Sequence, residues 1–243
     1  MQIIKLDATQ STNTYLKELC LKKDLEDFTV ITTQNQTLGR GQFNTKWESE
    51  KGKNIAISIL KKNMELPIDR MFLISICVSL AILDSLEQFG IPELNIKWPN
   101  DILSGNCKIG GILIENSISG PKIKQSIIGF GLNVNQQEFK HTPKAASMKK
   151  IMGKSFDLDE VFYSLVENIK RQLDEPILAL ESELYTKYHS KLYKINEQSE
   201  FIDQENNSII GKIEGISVSG KLKVRLDDGN LQEFGLKEIK LKY

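Results

Sequence analysis

Cysteine and histidine are scarce in these 243 residues. Cys20, Cys77 and Cys107 show no metal-ligand spacing, and three is an odd count. Reduced thiols in a cytoplasmic protein are the simplest reading. His141 and His189 lack a serine, cysteine or carboxylate partner at recognisable spacing, so both read as surface or structural residues. Excess charge is also missing. The 32 basic and 32 acidic residues cancel, which argues against a chain built mainly to bind nucleic acid and leaves only a local basic patch open. The start, Met1-Gln2-Ile3-Ile4-Lys5, has no basic head followed by an apolar stretch, so no signal peptide is read. The most apolar segment, Met71 to Leu83, is interrupted by Ser75 and Ser79 and stops at Asp84, which reads as too short for a membrane span. No repeat or low-complexity tract is present. What remains is 40% hydrophobic and 26% charged, ordinary for a soluble globular chain of one or two domains.

Ile3 to Leu6 predicts an opening strand. Ser11-Thr12-Asn13-Thr14 then leads into Tyr15, Leu16, Leu19 and Cys20, where Ser or Thr caps a helix and its free N–H groups also suit a ligand. Apolar runs from Phe28 to Thr33 and from Asn54 to Leu60 predict two strands. Pro67 and Asp69 open a helix that Gly90 stops, and it is apolar on nearly every face, the pattern of a buried helix. Lys122 to Asn135 predicts a further strand, and Pro143 to Ser155 a polar, basic connection. Asp157 caps an amphipathic helix that Pro176 ends, and a second helix follows it. From about Asn196 the pattern changes to short alternating strands, Ile209 to Ile216, Lys221 to Leu226, Leu231 to Phe234 and Leu236 to Leu241. Turn signals lie at Ser219-Gly220 and Asp227-Asp228-Gly229-Asn230, so a small barrel is expected.

Three stretches carry chemistry. Gln36 to Trp47 is a long loop between strands, with Gly39 and Gly41 flanking Arg40 and with Trp47 at its end. Alone it reads first as an ordinary mobile surface loop and second as one that closes over an anion, since the guanidinium fork suits phosphate or carboxylate. Ile96-Lys97-Trp98-Pro99-Asn100-Asp101-Ile102-Leu103, then Ser104-Gly105-Asn106, then Cys107 to Glu115 reads as strand, hairpin and strand. Lys97, Asn100, Asp101 and Lys108 are polar residues within apolar strand sequence. Such charges are costly to bury unless paired or turned to a ligand. Gly110-Gly111 lets something pack directly on the strand. In Gly129-Phe130-Gly131-Leu132-Asn133-Val134-Asn135, Asn133 offers a donor and an acceptor to a heterocyclic base, or simply forms a turn.

These stretches together resemble the biotin protein ligases, from Ser11 to Asn135 and again in the C-terminal barrel. Lys97-Trp98-Pro99-Asn100-Asp101 stands as that family's most recognisable motif, unaltered. Lys108 to Glu115 resembles its lysine-glycine strand, and Gly129 to Asn135 its adenine-contacting strand. The resemblance implies an α+β fold, a mixed, largely antiparallel sheet backed by helices (class II synthetase-like). It implies a catalytic domain over residues 1–195 and an SH3-like β-barrel over 196–243. Because the first catalytic strand begins at Ile3, a ligase without an N-terminal DNA-binding domain is expected, with no nucleic-acid or membrane partner, as a monomer or homodimer.

The implied reaction joins biotin to Mg-ATP as biotinyl-5'-AMP with release of pyrophosphate. Biotin then passes to one lysine of the biotin carboxyl carrier protein of acetyl-CoA carboxylase or a related carboxylase. The resemblance assigns Lys108, Arg40 and Asp101 to catalysis. It assigns Ser11, Thr12, Asn13, Gln36, Gly39, Arg40, Lys108, Gly110 and Gly111 to biotin. Arg40, Gln42, Trp47, Lys97, Asn100, Lys108 and Asn133 go to ATP and the adenylate, with Asn133 reading adenine. Mg²⁺ is expected with the phosphates, and no protein ligand is assigned to it. A lipoate-protein ligase or octanoyltransferase of the same superfamily is the alternative. The loop departs from the family's usual Gly-Arg-Gly-Arg pattern: Gln42 stands at the second arginine, Phe43 follows, and Asn44 and Thr45 replace a glycine and an arginine. A looser grip on the adenylate is therefore expected, unless Lys46 or Lys53 compensates.

Overall fold

Alternation along the strands decides which helix covers which side of the main sheet. In the computed structural model, which describes residues 1–242, seven strands form that sheet. They are β1 (Ile3–Leu6), β2 (Thr29–Thr33), β3 (Ile55–Pro67), β4 (Leu94–Lys97), β5 (Asp101–Ser104), β6 (Cys107–Ser119) and β7 (Lys122–Leu132). Their order is β1-β2-β3-β7-β6-β5-β4, with β1 parallel to β2 and every other pair antiparallel. Ile57, Ile59 and Ile128 point into the large core, which includes the helix α2 (Phe72–Gln88). Ile31, Leu60 and Ile127 point the other way and enclose Leu16 of α1 (Thr12–Lys22). Side chains alternate between faces along a strand, so α1 and α2 lie on opposite sides of the sheet.

Helix α2 is apolar all round because it is enclosed. It packs on β4 and β6 and also touches α4 (Leu158–Asp174) and α5 (Glu181–Ser190). With its leading turn it spans Ile68–Gln88, 21 residues, which corrects the expectation that this segment is too short to cross a bilayer. Its length and composition suffice, and its burial in the core accounts for its apolarity. Asp157 caps α4 by accepting from the backbone N–H groups of Asp159 and Glu160. The connection expected between Pro143 and Ser155 contains a short helix, α3 (Met148–Met152), pinned by the fully buried Met148 and stopped by Gly153 at φ 71°. The strand expected to end at Leu60 runs on to Pro67, past an irregularity at Lys62–Leu66.

The Lys97–Asp101 motif is itself a turn, so the stretch expected to form one strand forms two. Lys97 ends β4, Asp101 begins β5, and the two are cross-strand partners. A cis Trp98–Pro99 bond lies between them. Cross-strand partners present their side chains on one face, which puts a cation beside a carboxylate.

The second sheet contains β8 (Gln198–Asp203), β9 (Ser208–Ile216), β10 (Leu222–Leu226), β11 (Leu231–Phe234) and β12 (Ile239–Leu241), all antiparallel, in the order β11-β10-β9-β8-β12. Strand β8 was not among the expected strands. Phe201, Ile213, Leu222 and Phe234 belong to the same apolar core as α2, so the interior runs on across residue 196. The β9–β10 turn is fastened to the first sheet and its helices. The Trp98 indole Nε1 donates to the Gly220 carbonyl at 2.8 Å. Gly220, at φ 83°, lies so close to the Phe72 ring that a methyl group there would sit 2.3 Å from it. His189 Nε2 accepts from Ile216 N at 3.1 Å, and burial lowers its pKa, which keeps the ring a neutral acceptor.

Tyr188 has no exposed surface, and its hydroxyl has no hydrogen-bond partner among the described residues. Burial raises its pKa strongly, which keeps the phenol neutral. An unsatisfied buried hydroxyl costs roughly 1–3 kcal/mol. Tyr188→Phe keeps the edge-on packing against Phe72 and removes the hydroxyl. It should raise unfolding free energy by about 1 kcal/mol in urea melts, seen as a higher midpoint at unchanged slope. A lower midpoint would contradict this account.

Candidate active site

A cavity of about 490 Å³ opens where the Gln36–Trp47 loop, the β4–β5 turn and the second sheet meet the main sheet. That is ample for a small ligand. Its floor is a patch of sheet without side chains. Gly111 and Gly131 are cross-strand partners, and the Trp47 indole lies on both. A methyl on Gly131 would come within 2.6 Å of the ring, and one on Gly111 within 3.1 Å. Space expected for biotin at Gly110 and Gly111 is therefore taken. Gly111 is covered by Trp47, and Gly110 faces the Phe130 ring, where a methyl would lie 3.0 Å away. Gly129 makes room for Asn13 instead.

One end of the cavity is a hydrogen-bonded network at the start of α1. Ser11 occupies the N-cap position, but its side chain makes no capping bond, contrary to expectation. Gln36 does that work: its Oε1 accepts from Thr12 N at 2.9 Å and from Thr12 Oγ1 at 3.2 Å. Ser58 Oγ lies within hydrogen-bond distance of Thr12 Oγ1 and Asn13 Oδ1. Asn13 Nδ2 donates to Leu113 O and Glu115 Oε2. Asn13 is thus fully occupied in holding α1 to the sheet. The Ser11 hydroxyl and the Gln36 amide NH₂ are the groups left for a ligand.

The other end is charged. Lys108 Nζ lies 2.5 Å from Asp101 Oδ1 and 5.6 Å from the centre of the Trp47 ring. Lys97 Nζ is 3.5 Å from Asp101 Oδ2. Burial lowers the pKa of Lys97; Asp101 opposes that shift, and the charges of Lys108 and Lys240 add to it. Asn100 lines the cavity, but its Nδ2 donates to Ile112 O at 2.7 Å, so it fastens the turn to β6. Asn133 was expected to present both a donor and an acceptor to a base. Its donor is engaged with Ala146 O at 3.0 Å, its side chain is buried away from the cavity lining, and only Oδ1 lacks a partner among the described residues.

Within the loop, the glycines serve the loop's own closure. Trp47 N donates to Gly39 O, and Gly41 N to Thr45 O. A methyl on Gly39 would meet Trp47 O at 2.7 Å, and one on Gly41 the Thr45 hydroxyl at 2.5 Å. Arg40 lines the cavity and is exposed, with Nη1 3.3 Å from Thr14 Oγ1 and Nη2 3.5 Å from Glu115 Oε1. Gln42 and Lys46 line the cavity, whereas Lys53 does not. The structure thus brings together Lys97, Asp101, Lys108 and Trp47, and separately Ser11, Thr12, Asn13 and Gln36. Sequence reasoning assigned no role to Ser58 or Glu115, and it read Gly129 and Gly131 as bare backbone beside a ligand or a crossing strand, whereas Asn13 and Trp47 pack on them. Ser58 stood as a lone hydroxyl inside an apolar strand, which was a usable signal.

Lys97 is a largely buried cation whose lowered pKa means that folding disfavours its charged form. That penalty is complete below the folded-state pKa and vanishes as pH rises past the ordinary lysine value. Lys97→Met leaves Asp101 paired with Lys108. It should stabilise the ligand-free protein by about 1 kcal/mol at neutral pH, the gain shrinking as pH climbs through the lysine range. Thermal melts of both proteins against pH check this; a destabilised variant at neutral pH would refute it.

Residues 6–133 match the Biotin/lipoate A/B protein ligase family. The bifunctional ligase/repressor BirA of Bacillus subtilis is 30% identical over 159 residues, 64% of this chain and 48% of that protein. The biotin--[acetyl-CoA-carboxylase] ligase of Mycobacterium tuberculosis is 28% identical over 168 residues, 68% of this chain and 61% of that protein. The chain thus spans about half to three-fifths of the length of these relatives. The solved biotin protein ligase of Aquifex aeolicus in complex with biotin and ATP superposes with a TM-score of 0.82 at 27% identity, covering 99% of this chain and 98% of that one. With the family match covering more than half of its residues, the chain belongs to the biotin/lipoate A/B protein ligase family.

Proposed function

We propose that this chain is an ATP-dependent biotin protein ligase, with residues 1–195 as its catalytic domain. The observation that carries the reading is the cavity's two unlike ends, joined by the flat Trp47 ring. The Ser11 hydroxyl and the Gln36 amide, the latter held by Thr12, suit a ureido ring, which both donates and accepts hydrogen bonds. Lys108 and Lys97 suit anions.

In the first step a biotin carboxylate oxygen attacks the α-phosphorus of ATP. A P–O bond forms, the bond to the leaving pyrophosphate breaks, and a mixed anhydride results. Two anions must approach, so a fixed cation aimed at the developing charge lowers the barrier. Lys108, already held by Asp101, provides it. Trp47 packs beside the nucleotide. Asn133 Oδ1 serves adenine only as an acceptor. Arg40 reaches the ligand by exchanging Glu115 for an anion. Among the described residues that line the cavity, Asp101 is the one carboxylate and is paired with two lysines, so these residues form no cage for a metal. Mg²⁺ then enters on the phosphates of Mg-ATP.

In the second step the ε-amine of the carrier lysine attacks the anhydride carbonyl, and AMP leaves. Asp101 binds lysine ammonium groups in the resting site, which is the chemistry needed to receive and orient an incoming lysine and take its proton. The partner is a biotin carboxyl carrier domain. The three unpaired cysteines suit a reducing cytoplasmic setting. A lipoate ligase is less well matched, because a dithiolane ring would leave the polar Ser11–Gln36 end unpartnered.

Wild-type protein with Mg-ATP and biotin should catalyse ATP–pyrophosphate exchange and label a carrier domain. Lys108→Ala should lose about 10²–10³-fold of the exchange rate with an unchanged circular dichroism spectrum. Near-normal exchange would remove Lys108 from this role. Exchange supported by lipoate and not by biotin would move the assignment to the alternative.

A further inference from the structure

We infer that Glu115, on β6, is a positioning residue for the loop arginine. It holds Arg40 off the ligand until a carboxylate or phosphate takes its place, so the grip of the loop is conditional on an anion. This rests on the ligase reading and names what controls its loop.

Arg40 lines the cavity, but neither partner of its guanidinium does. Nη1 lies 3.3 Å from Thr14 Oγ1 and Nη2 3.5 Å from Glu115 Oε1, so the charged end is tied to groups outside the cavity. Electrostatics favours that arrangement while no ligand is bound. Lys46, Lys97, Lys108, Lys237 and Lys240 line the same cavity, and among the described lining residues Asp101 is the one carboxylate. A further cation there is repelled until an anion enters. Glu115 takes it meanwhile. At 3.5 Å, with 40% of the Arg40 side chain exposed, the pair is weak enough to exchange.

Glu115 is itself fixed, and it keeps a cation when Arg40 leaves. Its Oε2 accepts from Asn13 Nδ2 at 3.0 Å, and Lys17 Nζ lies 4.0 Å from the same Oε1 that meets Arg40. The exchange therefore strands no half-buried carboxylate, which would be costly. The Asn13 bond also joins Glu115 to the network of Ser58, Thr12 and Gln36. One loop is thus tied twice to the first turn of α1, by Gln36 at Thr12 and by Arg40 at Thr14. The Gln36 tie lies at the ligand's polar end, and the Arg40 tie is the charged one. Removing the charge at Glu115 raises the fraction of protein whose arginine is ready for an anion, and apparent affinity follows that fraction.

Glu115→Gln keeps an acceptor for Asn13 and removes the charge that holds Arg40. Calorimetric titration of the full chain should show biotin bound about two- to fivefold more tightly, the worth of a half-exposed ion pair. Biotinamide, with the same rings and a neutral amide, should bind as before. In an Arg40→Ala background the substitution should give no gain. Unchanged biotin affinity, an equal change for biotin and biotinamide, or a gain that survives loss of Arg40 would overturn the assignment. A second measurement needs no ligand. Trypsin cleavage after Arg40 in the ligand-free protein should be about two- to fivefold faster in Glu115→Gln, and an unchanged rate would also overturn it. Failure of the wild type to bind biotin would refute the ligase reading and leave the cleavage rates to decide whether Glu115 holds Arg40.

Discussion

Asp101 holds two ammonium groups in a half-enclosed cavity, and the arrangement of the site follows from that. Two cations at such separation repel by several kcal/mol at an effective dielectric of about 20, so they stay together only with an anion between them. Asp101 is that anion in the ligand-free protein, and its place is set from both sides. The β4–β5 register puts it opposite Lys97. Asn100 ties the turn to Ile112 on β6, and Trp98 ties it to Gly220 in the second sheet. A short motif can therefore be demanding in every letter while only part of it touches ligand. Lys97 and Asp101 carry charge, and Trp98 and Asn100 hold the turn.

Shape fixes the loop where polar bonds do not. The Trp47 ring lies on Gly111 and Gly131, and its Nε1 is buried with no acceptor among the described residues. Buried donors normally find partners. Lifting the ring from the sheet therefore breaks apolar contact but no hydrogen bond of the indole. Such a cover can part for a substrate and close again, and an incoming acceptor at Nε1 would favour closure.

Much of this was legible in the sequence, for identifiable reasons. Helix α2 announced itself by apolar residues on every face, and α4 by Asp157 and helical spacing, because both signals are local. The cluster of Lys97, Asp101 and Lys108 was legible because charge inside a strand pattern needs a reason. Other features depend on what lies across the sheet. Gly110 and Gly111 read alike as bare strand, but a pleat sends them to opposite faces, one to Phe130 and one to Trp47. Asn13 and Asn133 looked like ligand contacts, yet their amides are engaged by Leu113 and Ala146, distant neighbours that no local window reveals. Strand β8 and the short α3 were missed because their partners, rather than their own spacing, hold them.

The second sheet looked like an appendage in sequence, a small module after two helices. Its side chains join the core that holds α2, and its β9–β10 turn is locked by Trp98 and Phe72. That docking has an electrostatic consequence. A strand anchored to the motif turn keeps its lysines at a fixed distance from Lys97, whereas lysines on a free-standing module would be held apart by repulsion. The apolar contact therefore holds like charges together at the cavity mouth. The loop's poverty in arginine then reads differently. The positive charge around this cavity is divided among the loop, the main sheet and the second sheet, so the neutral glutamine at position 42 leaves one rim a cation short while the others keep theirs.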